Sequence, residues 1–272
     1  MKTTSNNQIK TQHVYSENNT KKVYLKVDDE TWFPINFQWI PIIKLNNELN
    51  LKTNKMKKLV ILPLILLSII ISSCSKDSLT GSGELTSELR NVVTFTKISS
   101  EGVFEVNITQ GDSQTVEIIA DDNIMSKVIT KVVDNELRLY LDEDTNYKNI
   151  SLQANITVPV INGLKNSGTG NVLILNVDTN TDFNVYNSGT GDISIEGSAK
   201  SLTLKNEGDG TFEGFLFSVD DCNIKIIGSG DCKVNCNDYL NVQIEGSGDV
   251  YYLGTPIIEA DISGSGKVIN AN

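Results

Sequence analysis

Histidine and arginine are nearly absent from this 272-residue chain. His13 is the single histidine, and Arg90 and Arg138 are the two arginines. Histidine is the side chain most often used as a general base and as a metal ligand. The sequence also has no Ser/His/Asp constellation, and its Gly-x-Gly turns do not open helices as a phosphate-binding loop must. We therefore expect no cofactor and no resident metal ion.

A hydrophobic run long enough to span a bilayer is also missing. The longest, residues 59–71, has 13 residues, whereas a transmembrane helix needs about 20. It follows Met-Lys-Lys at 56–58 and ends at Ser72-Ser73-Cys74, which is the layout of a secretory signal. The ending resembles a bacterial lipobox, whose cysteine becomes lipidated, so Cys74 is the predicted lipidation site. A buried core helix is the alternative interpretation of the apolar run.

This leader divides the chain into four predicted segments. A signal peptide must stand first, so we interpret residues 1–55 as a disordered artefact of the assigned gene start. Residues 56–73 form the signal peptide and residues 74–90 a flexible tether. Residues 91–272 form one head domain, which is long enough to bury a sizeable core.

Positive charge is scarce beyond the predicted cleavage point. Residues 74–272 contain 13 Lys and Arg against 29 Asp and Glu, a net charge of −16. An acidic surface repels nucleic acid and anionic lipid headgroups, so nucleic acid is not an expected partner. The expected membrane contact is the N-terminal lipid, whose attachment depends on buried CH₂ groups rather than on protein charge.

Glycine, by contrast, recurs in one pattern. A Gly-x-Gly turn appears six times, and its first glycines lie 18 to 21 residues apart. The turn glycines are Gly168, Gly170, Gly189, Gly191, Gly208, Gly210, Gly228, Gly230, Gly246, Gly248, Gly264 and Gly266. Self-similarity at this period indicates a solenoid. Glycine adopts positive φ without a Cβ clash, and this freedom is the predicted structural reason for its recurrence.

Alternation of apolar and polar residues around each turn predicts that the coils are made of short strands. The predicted fold is therefore all-β, a parallel β-helix (β-solenoid) with coils of about 18–21 residues. A β-sandwich of hairpins is the competing fold, but it gives no reason for one corner to recur at this period.

One inward column of the repeat changes from polar to apolar along the chain. Two residues before each turn stand Asn166, Asn187 and Asn206, followed by Ile226, Ile244 and Ile262. Stacked asparagines can satisfy one another in an amide ladder. The three asparagines are thus predicted to be structural, with ligand binding as the less favoured alternative.

The segment before the repeats is also β-rich, and we interpret residues 91–159 as the start of the solenoid plus a cap. Ile124, Val128 and Val132 follow an Asp at helical spacing, so the cap near the N-terminal end is predicted to be a short helix or a β element. Solenoids need such caps to cover open strand edges. The opposite end looks less protected and is a candidate homo-oligomer interface.

The residues after the turns supply the candidate surface site. Asp192, Asp231 and Asp249 point outward by parity. They could bind a glycan or protein ligand, or Ca²⁺, or simply cap backbone N–H groups, and the capping role is the most natural. The same stacked carboxylates also leave open a polysaccharide-cleaving enzyme.

Three cysteines, Cys222, Cys232 and Cys236, have inward parity. Without a C-x-x-C pair or a histidine, a zinc site is disfavoured, and buried free thiols are expected. A Cys222–Cys232 bridge is the alternative in an oxidising compartment.

Residues 102–123, GVFEVNITQGDSQTVEIIADDN, together with the serial GSGDV turns and the lipoprotein leader, resemble a known bacterial family. The chain is similar to the auto-transporter adhesins with a head GIN domain found in Bacteroidota, over about residues 91–272. The EGDG turn at 207–210 and Lys267 depart from the usual pattern. The resemblance implies a right-handed β-helix on an exported protein of a Gram-negative bacterium.

We therefore expect a non-catalytic structural or adhesive module, lipid-anchored to the outer membrane on its periplasmic face or at the cell surface.

The leader predicts the mass of the native protein. We expect the mature chain to begin at a lipid-modified Cys74 and to lack residues 1–73. Mass spectrometry of the protein extracted from its own envelope measures this directly. A mass that includes residues 1–55 would contradict the predicted start at Met56.

Overall fold

The computed structural model describes residues 11–15, 21–26, 32–35 and 78–272. The chain divides into two compact units, 1–73 and 74–272. In the first unit, β1 (Thr11–Tyr15), β2 (Lys21–Lys26) and β3 (Trp32–Ile35) form an antiparallel sheet in that order. These strands differ from the disorder expected of residues 1–55. The predicted signal peptide and Cys74 lie outside the described residues, so their assignments stay predictions.

The second unit is built almost entirely of strands. The first of them are β4 (Ser78–Thr80), β5 (Leu85–Leu89), β6 (Lys97–Ser100), β7 (Glu105–Gln110), β8 (Thr115–Asp121), β9 (Val128–Val133), β10 (Glu136–Leu141), β11 (Asn146–Lys148) and β12 (Leu152–Val158). The repeat region contributes β13 (Gly163–Asn166), β14 (Val172–Asp178), β15 (Asp182–Asn187), β16 (Ile193–Asn206), β17 (Phe212–Ile226), β18 (Cys232–Ile244), β19 (Val250–Leu253), β20 (Ile257–Ile262) and β21 (Val268–Asn270).

Strands β4 and β11 pair in a separate two-stranded sheet. The other strands of the second unit form two stacks that meet at the Gly-x-Gly corners. The pre-corner stack runs β9-β10-β6-β13-β15, then through the C-terminal halves of β16, β17 and β18 to β20. The post-corner stack runs β5-β8-β12-β7-β14, then through the N-terminal halves of β16, β17 and β18 to β19 and β21. All pairs from β6 and β7 onward through the repeats are parallel, which confirms the predicted β-solenoid.

The register between coils matches the sequence columns. Leu164 pairs with Val185, Val185 with Leu204, and the series continues through Ile224, Val242 and Ala260. Burial alternates along each strand, as in β12, where every second residue is buried. The inward side chains form one continuous core, in which Phe183 and Phe217 contact edge to face with ring centroids 5.5 Å apart.

Antiparallel strands cap the N-terminal end. Strand β9 pairs with β10, β8 pairs with β12, and β5 pairs with β8. The helix considered for this segment is wrong, because the chain forms only a three-residue 3₁₀ turn at Met125–Lys127 before β9 begins. Asp134 and Asn135 both adopt positive φ and close the β9–β10 hairpin, which fixes the β-branched residues before them in a strand. In the described ranges, no helix has the length and apolar character needed to cross a membrane.

Chain order and spatial order differ at this end. Strand β6 pairs with β10 on one side and with β13 on the other. Likewise β7 lies between β12 and β14. The coil formed by β6 and β7 is therefore enclosed by coils that come later in the chain, an arrangement that the sequence repeats did not predict.

The last coil leaves an open edge. Ile258 and Ile262 continue the columns of Leu240 and Ile244, yet they are 40% and 44% exposed while the residues above them are fully buried. Strand β20 is paired on one side only, with β18, among the described residues. This apolar edge is where the expected homo-oligomer would form, and that expectation stays a prediction.

The corner glycines are required by close contact between coils. A Cβ added at Gly189, Gly208, Gly228, Gly246 or Gly264 would lie 1.9 to 2.0 Å from the carbonyl oxygen of the equivalent glycine one coil earlier. None of the Gly-x-Gly residues in the repeats has positive φ, which Gly83, Gly102, Gly197 and Gly254 do adopt. The predicted reason, positive φ, is thus wrong, and backbone approach is the cause.

Replacing Gly208 by Ala should destabilise the fold severely. Its Cβ would lie 1.9 Å from the Gly189 oxygen. Because the backbone fixes the position of both atoms, the coils must separate. We expect the free energy of unfolding to fall by about 4 kcal/mol or more. Gly102→Ala is the control, because Gly102 has a φ of +90° with open space around it. It should lose about 1–2 kcal/mol. Urea unfolding compares the two, and equal losses would refute the contact argument.

Candidate functional site

The interior of the corner contains a ladder of amides. Asn166 Nδ2 donates to Asn187 Oδ1 at 3.2 Å, and Asn187 Nδ2 donates to Asn206 Oδ1 at 3.1 Å. All three side chains are buried. Each Oδ1 also accepts the backbone N–H two residues later in its own turn, at Gly168, Gly189 and Gly208. The asparagines thus tie each turn to itself and to the next coil, which is a structural role.

The ladder ends where the column becomes apolar. Asn206 Nδ2 donates to the carbonyl oxygens of Gly210 and Gly230 at 3.0 and 3.1 Å. The next residue of the column is Ile226, which is fully buried. Because Asn206 finds backbone acceptors, the last amide of the ladder leaves no N–H without a partner, and isoleucine can continue the column.

A second polar column runs along the outside of the corner. Asp192 Oδ1 accepts the Thr211 N–H, Asp231 Oδ1 accepts the Asp249 N–H, and Asp249 Oδ1 accepts the Lys267 N–H, each at 2.8 Å. Asn171 begins the series by accepting the Asp192 N–H at 2.9 Å. Each side chain therefore caps the backbone of the following coil, across the stack rather than within its own turn.

This capping limits what the aspartates can do chemically. One oxygen of each carboxylate is engaged by a backbone donor, and the other oxygen of Asp249 also accepts the Tyr251 hydroxyl at 3.4 Å. Within residues 78–272, no three His, Cys, Asp or Glu side chains come together as a set of metal ligands. Binding of a partner by Asp192, Asp231 and Asp249 stays a proposal.

The three cysteines are buried free thiols. The Cys236 thiol donates to the carbonyl oxygen of Tyr239 at 3.1 Å. The neighbouring Cys236 thiol, together with burial, raises the pKa of Cys222. Cys232 lies instead beside Asn206, with Nδ2 and Sγ 4.0 Å apart, and burial raises its pKa to about 12. The neighbour of Cys222 is thus Cys236, not the Cys232 of the bridge considered from the sequence.

The outward face of the pre-corner stack carries a groove that the sequence columns did not single out. Its volume is about 330 Å³. Gly163 lies on its floor between β6 and β15. The lining side chains include Lys97, Glu136, Lys165, Asn184, Tyr186 and Thr203.

Tyr186 organises the charges beside this groove. Its hydroxyl donates to Glu207, which also pairs with Lys205 at 2.5 Å. The Lys205 bond lowers the pKa of Glu207, and the bond to Glu207 raises the pKa of Tyr186. Glu207 is therefore ionised, and Tyr186 remains a neutral donor at physiological pH. Lys165 Nζ lies 6.0 Å from the centre of the Tyr186 ring, and Lys205 Nζ lies 5.6 Å from it.

A second depression adjoins the first at Thr203 and has a volume of about 370 Å³. Its lining includes Ser201, Asp221, Asn223, Tyr239 and Asn241. Asn241 Nδ2 donates to Asn223 Oδ1 at 3.2 Å, along the stack. Sequence parity places these residues outward, but parity alone does not show that neighbouring coils leave a continuous concave path.

The adhesin family described as "putative auto-transporter adhesin, head GIN domain" matches residues 94–256. The chain belongs to this family. The match confirms the family resemblance seen in the sequence, and it covers strands β6 to β19 with all but the last corner.

A solved structure from Bacteroides fragilis shares the fold of this adhesin-family chain. A putative adhesin from Bacteroides fragilis is 25% identical with a TM-score of 0.59, and the match covers 71% of this chain and 100% of that one. A putative adhesin from Parabacteroides merdae is 20% identical with a TM-score of 0.48, over 72% and 100% of the two chains. A structure from Parabacteroides distasonis, described as a putative lipid binding protein, is 17% identical with a TM-score of 0.45, again over 72% and 100%. None of the curated proteins matches the chain.

Replacing the middle asparagine of the ladder should be costly. Asn187→Leu removes the acceptor of Asn166 Nδ2 and of the Gly189 N–H. Two buried donors without partners cost about 2–5 kcal/mol in the free energy of unfolding. Asn184→Leu, on the exposed face of the same strand, should change stability by no more than about 0.5 kcal/mol.

The ladder also predicts non-additivity. Replacing Asn166, Asn187 and Asn206 by Leu together should cost less than the sum of the three single changes, because donors and acceptors are removed as pairs. Strictly additive losses in urea unfolding would mean that the asparagines act independently.

Proposed function

We propose that this chain is a non-catalytic adhesive module of the bacterial cell envelope, tethered to the outer membrane by a lipid on Cys74. It binds glycan or protein ligands through side chains that repeat along the outside of the solenoid. The observation that carries the proposal is the membership of the adhesin family over residues 94–256. The Bacteroides fragilis structure, at 25% identity, is likewise described as a putative adhesin.

The architecture supports a binding role. Neighbouring coils present equivalent side chains about 4.8 Å apart, so a ligand with its own repeat can make the same contact several times. Repeated weak contacts raise the overall affinity without any single strong site. A rigid β-core keeps the spacing of these contacts constant, because each outward position is fixed by the register of the strands.

The anchor is proposed from the leader alone. Lys57-Lys58, the apolar run at 59–71 and Ser72-Ser73-Cys74 have the order of an exported lipoprotein leader. Residues 78–80 and 85–89, within the segment predicted to be a flexible tether, are strands β4 and β5, which pair with β11 and β8. The ordered head thus begins within a few residues of Cys74 and would stay close to its membrane. The same short reach would bring adhesive faces of neighbouring copies to one surface.

The proposal assigns the corner aspartates to capping rather than to catalysis. Asp231 and Asp249 each accept a backbone N–H of the next coil. These carboxylates of the polysaccharide-cleaving alternative thus already hold neighbouring coils together.

Attachment by intact cells tests the function and the anchor together. A Gram-negative host that produces the full chain should incorporate an alkyne fatty acid into it and should attach to immobilised envelope and host glycans. Cys74→Ala should lose the label, release the chain from the membrane fraction and reduce attachment to the level of cells without the chain. Ser75→Ala, one residue away, is the control and should behave as the original chain.

Two results would contradict this proposal. Label retained in Cys74→Ala would remove the anchor site. New reducing ends or unsaturated sugars released from the glycans by the purified chain would show an enzyme instead of an adhesin.

A further inference from the structure

Cations concentrate on one face of this acidic protein. Six of the 13 Lys and Arg in residues 74–272 lie on the outward side of the pre-corner stack. They are Lys97, Lys131, Arg138, Lys165, Lys205 and Lys225. The strand register places five of them in one row, which runs Lys131, Arg138, Ser99, Lys165, Tyr186, Lys205, Lys225. The overall net charge hides this local distribution.

Among the described residues, carboxylates form salt bridges with some of these cations but not with Lys97 or Lys165, and Glu136, which also lines the groove beside Lys97, is paired with Arg138. Arg138 pairs with Glu136 at 3.0 Å, Lys205 with Glu207 at 2.5 Å, and Lys225 with Glu245 at 2.8 Å. No carboxylate of residues 78–272 forms a salt bridge with Lys97 or Lys165. Both of these lysines line the groove at Gly163.

Tyr186 explains why Lys165 remains without a carboxylate partner. Glu207, which contacts Tyr186, is engaged by the Tyr186 hydroxyl and by Lys205. Lys165 instead lies 6.0 Å from the centre of the Tyr186 ring, at the outer limit of a cation–π contact. Its ammonium group is therefore held beside the groove while its charge stays available.

The groove is shaped for a small ring rather than for a flat surface. Gly163 leaves space that a side chain would fill, since even a Cβ there would lie 3.1 Å from Lys97 Cγ. A volume of about 330 Å³ is at the small end of ligand pockets. Beside the two lysines it presents Asn184 and Thr203, whose amide and hydroxyl groups pair with alcohols.

We propose that the groove at Gly163 binds a carboxylate-bearing sugar of an acidic polysaccharide. Lys97 and Lys165 contact the sugar carboxylate, and Asn184 and Thr203 contact its hydroxyls. The proposal rests on the adhesive function above and names the ligand class of one face. It places the contact away from the corner aspartates.

A polysaccharide fits this face better than the other polyanions. A nucleic acid or an anionic membrane would extend over surfaces that carry the net charge of −16, whereas one sugar in the groove meets Lys97, Lys165 and a single carboxylate, Glu136, whose charge is offset by Arg138. The second depression, reached at Thr203, offers Ser201, Asn223 and Asn241 to the next sugars of the chain. Among the described residues, the second depression is lined by Asp221 and by no lysine or arginine, so the acidic sugar is assigned to the groove at Gly163, where two lysines accompany Glu136.

Titration calorimetry of the full chain, purified in detergent from a bacterial envelope, tests this with two matched probes. One is an oligogalacturonate, and the other is the same oligosaccharide with its carboxylates methyl-esterified. The charged probe should bind, and the esterified probe should bind at least about tenfold more weakly, because each charge-assisted contact is lost. Raising the salt concentration should weaken the charged probe only.

Variants locate the site. Lys97→Gln together with Lys165→Gln should weaken the charged probe about tenfold or more and leave the esterified probe unchanged. Lys200→Gln together with Lys267→Gln makes the same charge change at two exposed lysines outside the groove. The dissociation constants of both probes should then change by no more than about twofold, since charges far from the groove are screened by salt. Equal thermal unfolding midpoints would show that all variants are folded.

Three outcomes overturn the proposal: no binding of the charged probe up to millimolar concentration, equal binding of both probes, or unchanged binding in the Lys97/Lys165 variant. None of these outcomes decides the adhesive function, which is read from the attachment of intact cells. Cells that carry the Lys97/Lys165 variant and still attach fully would keep that function and reject this groove as its site.

Discussion

The whole solenoid depends on how closely the coils approach one another at the corner. The carbonyl oxygen of one turn occupies the space in which the next turn would have a Cβ, with separations of 1.9 to 2.0 Å from Gly189 to Gly264. No rotation of a side chain can relieve such a contact, because a Cβ is fixed by the backbone and the carbonyl oxygen belongs to it. The corner therefore fixes the stacking distance, and from it the register of both strand stacks follows.

Two polar columns follow this approach on opposite sides of the backbone. Inside, Asn166, Asn187 and Asn206 link the turns through their amides. Outside, Asp192, Asp231 and Asp249 accept N–H groups of the following coil. Main-chain groups that the tight turn leaves without strand partners are thus satisfied by side chains. The repeated Asn and Asp residues thus belong to the scaffold, whereas the outward rows away from the corner repeat less regularly.

The sequence was sufficient for whatever follows from period and parity. The six glycine turns predicted the solenoid, and the alternation around each turn and the column through Asn166 predicted the inward residues. Parity could not show why glycine recurs, because the clash involves an oxygen from another coil. Nor could it show the β9–β10 hairpin, since apolar residues at Ile124, Val128 and Val132 fit a helix as well as a strand, and the Asp134-Asn135 turn decides between them. The groove at Gly163 was not predicted, because its lining comes from several strands whose pairing the repeat pattern does not fully show.

The position of β6 between β10 and β13 has a consequence for how the chain becomes ordered. Neither edge of β6 can be covered until residues well downstream have emerged, so its pairing is set by long-range contacts, which form slowly. A chain that crosses a membrane N-terminus first would carry this strand uncovered for longer than any strand of the later repeats. From β13 onward each coil can add to one already in place. The repeats can then assemble one coil at a time, each on the coil before it.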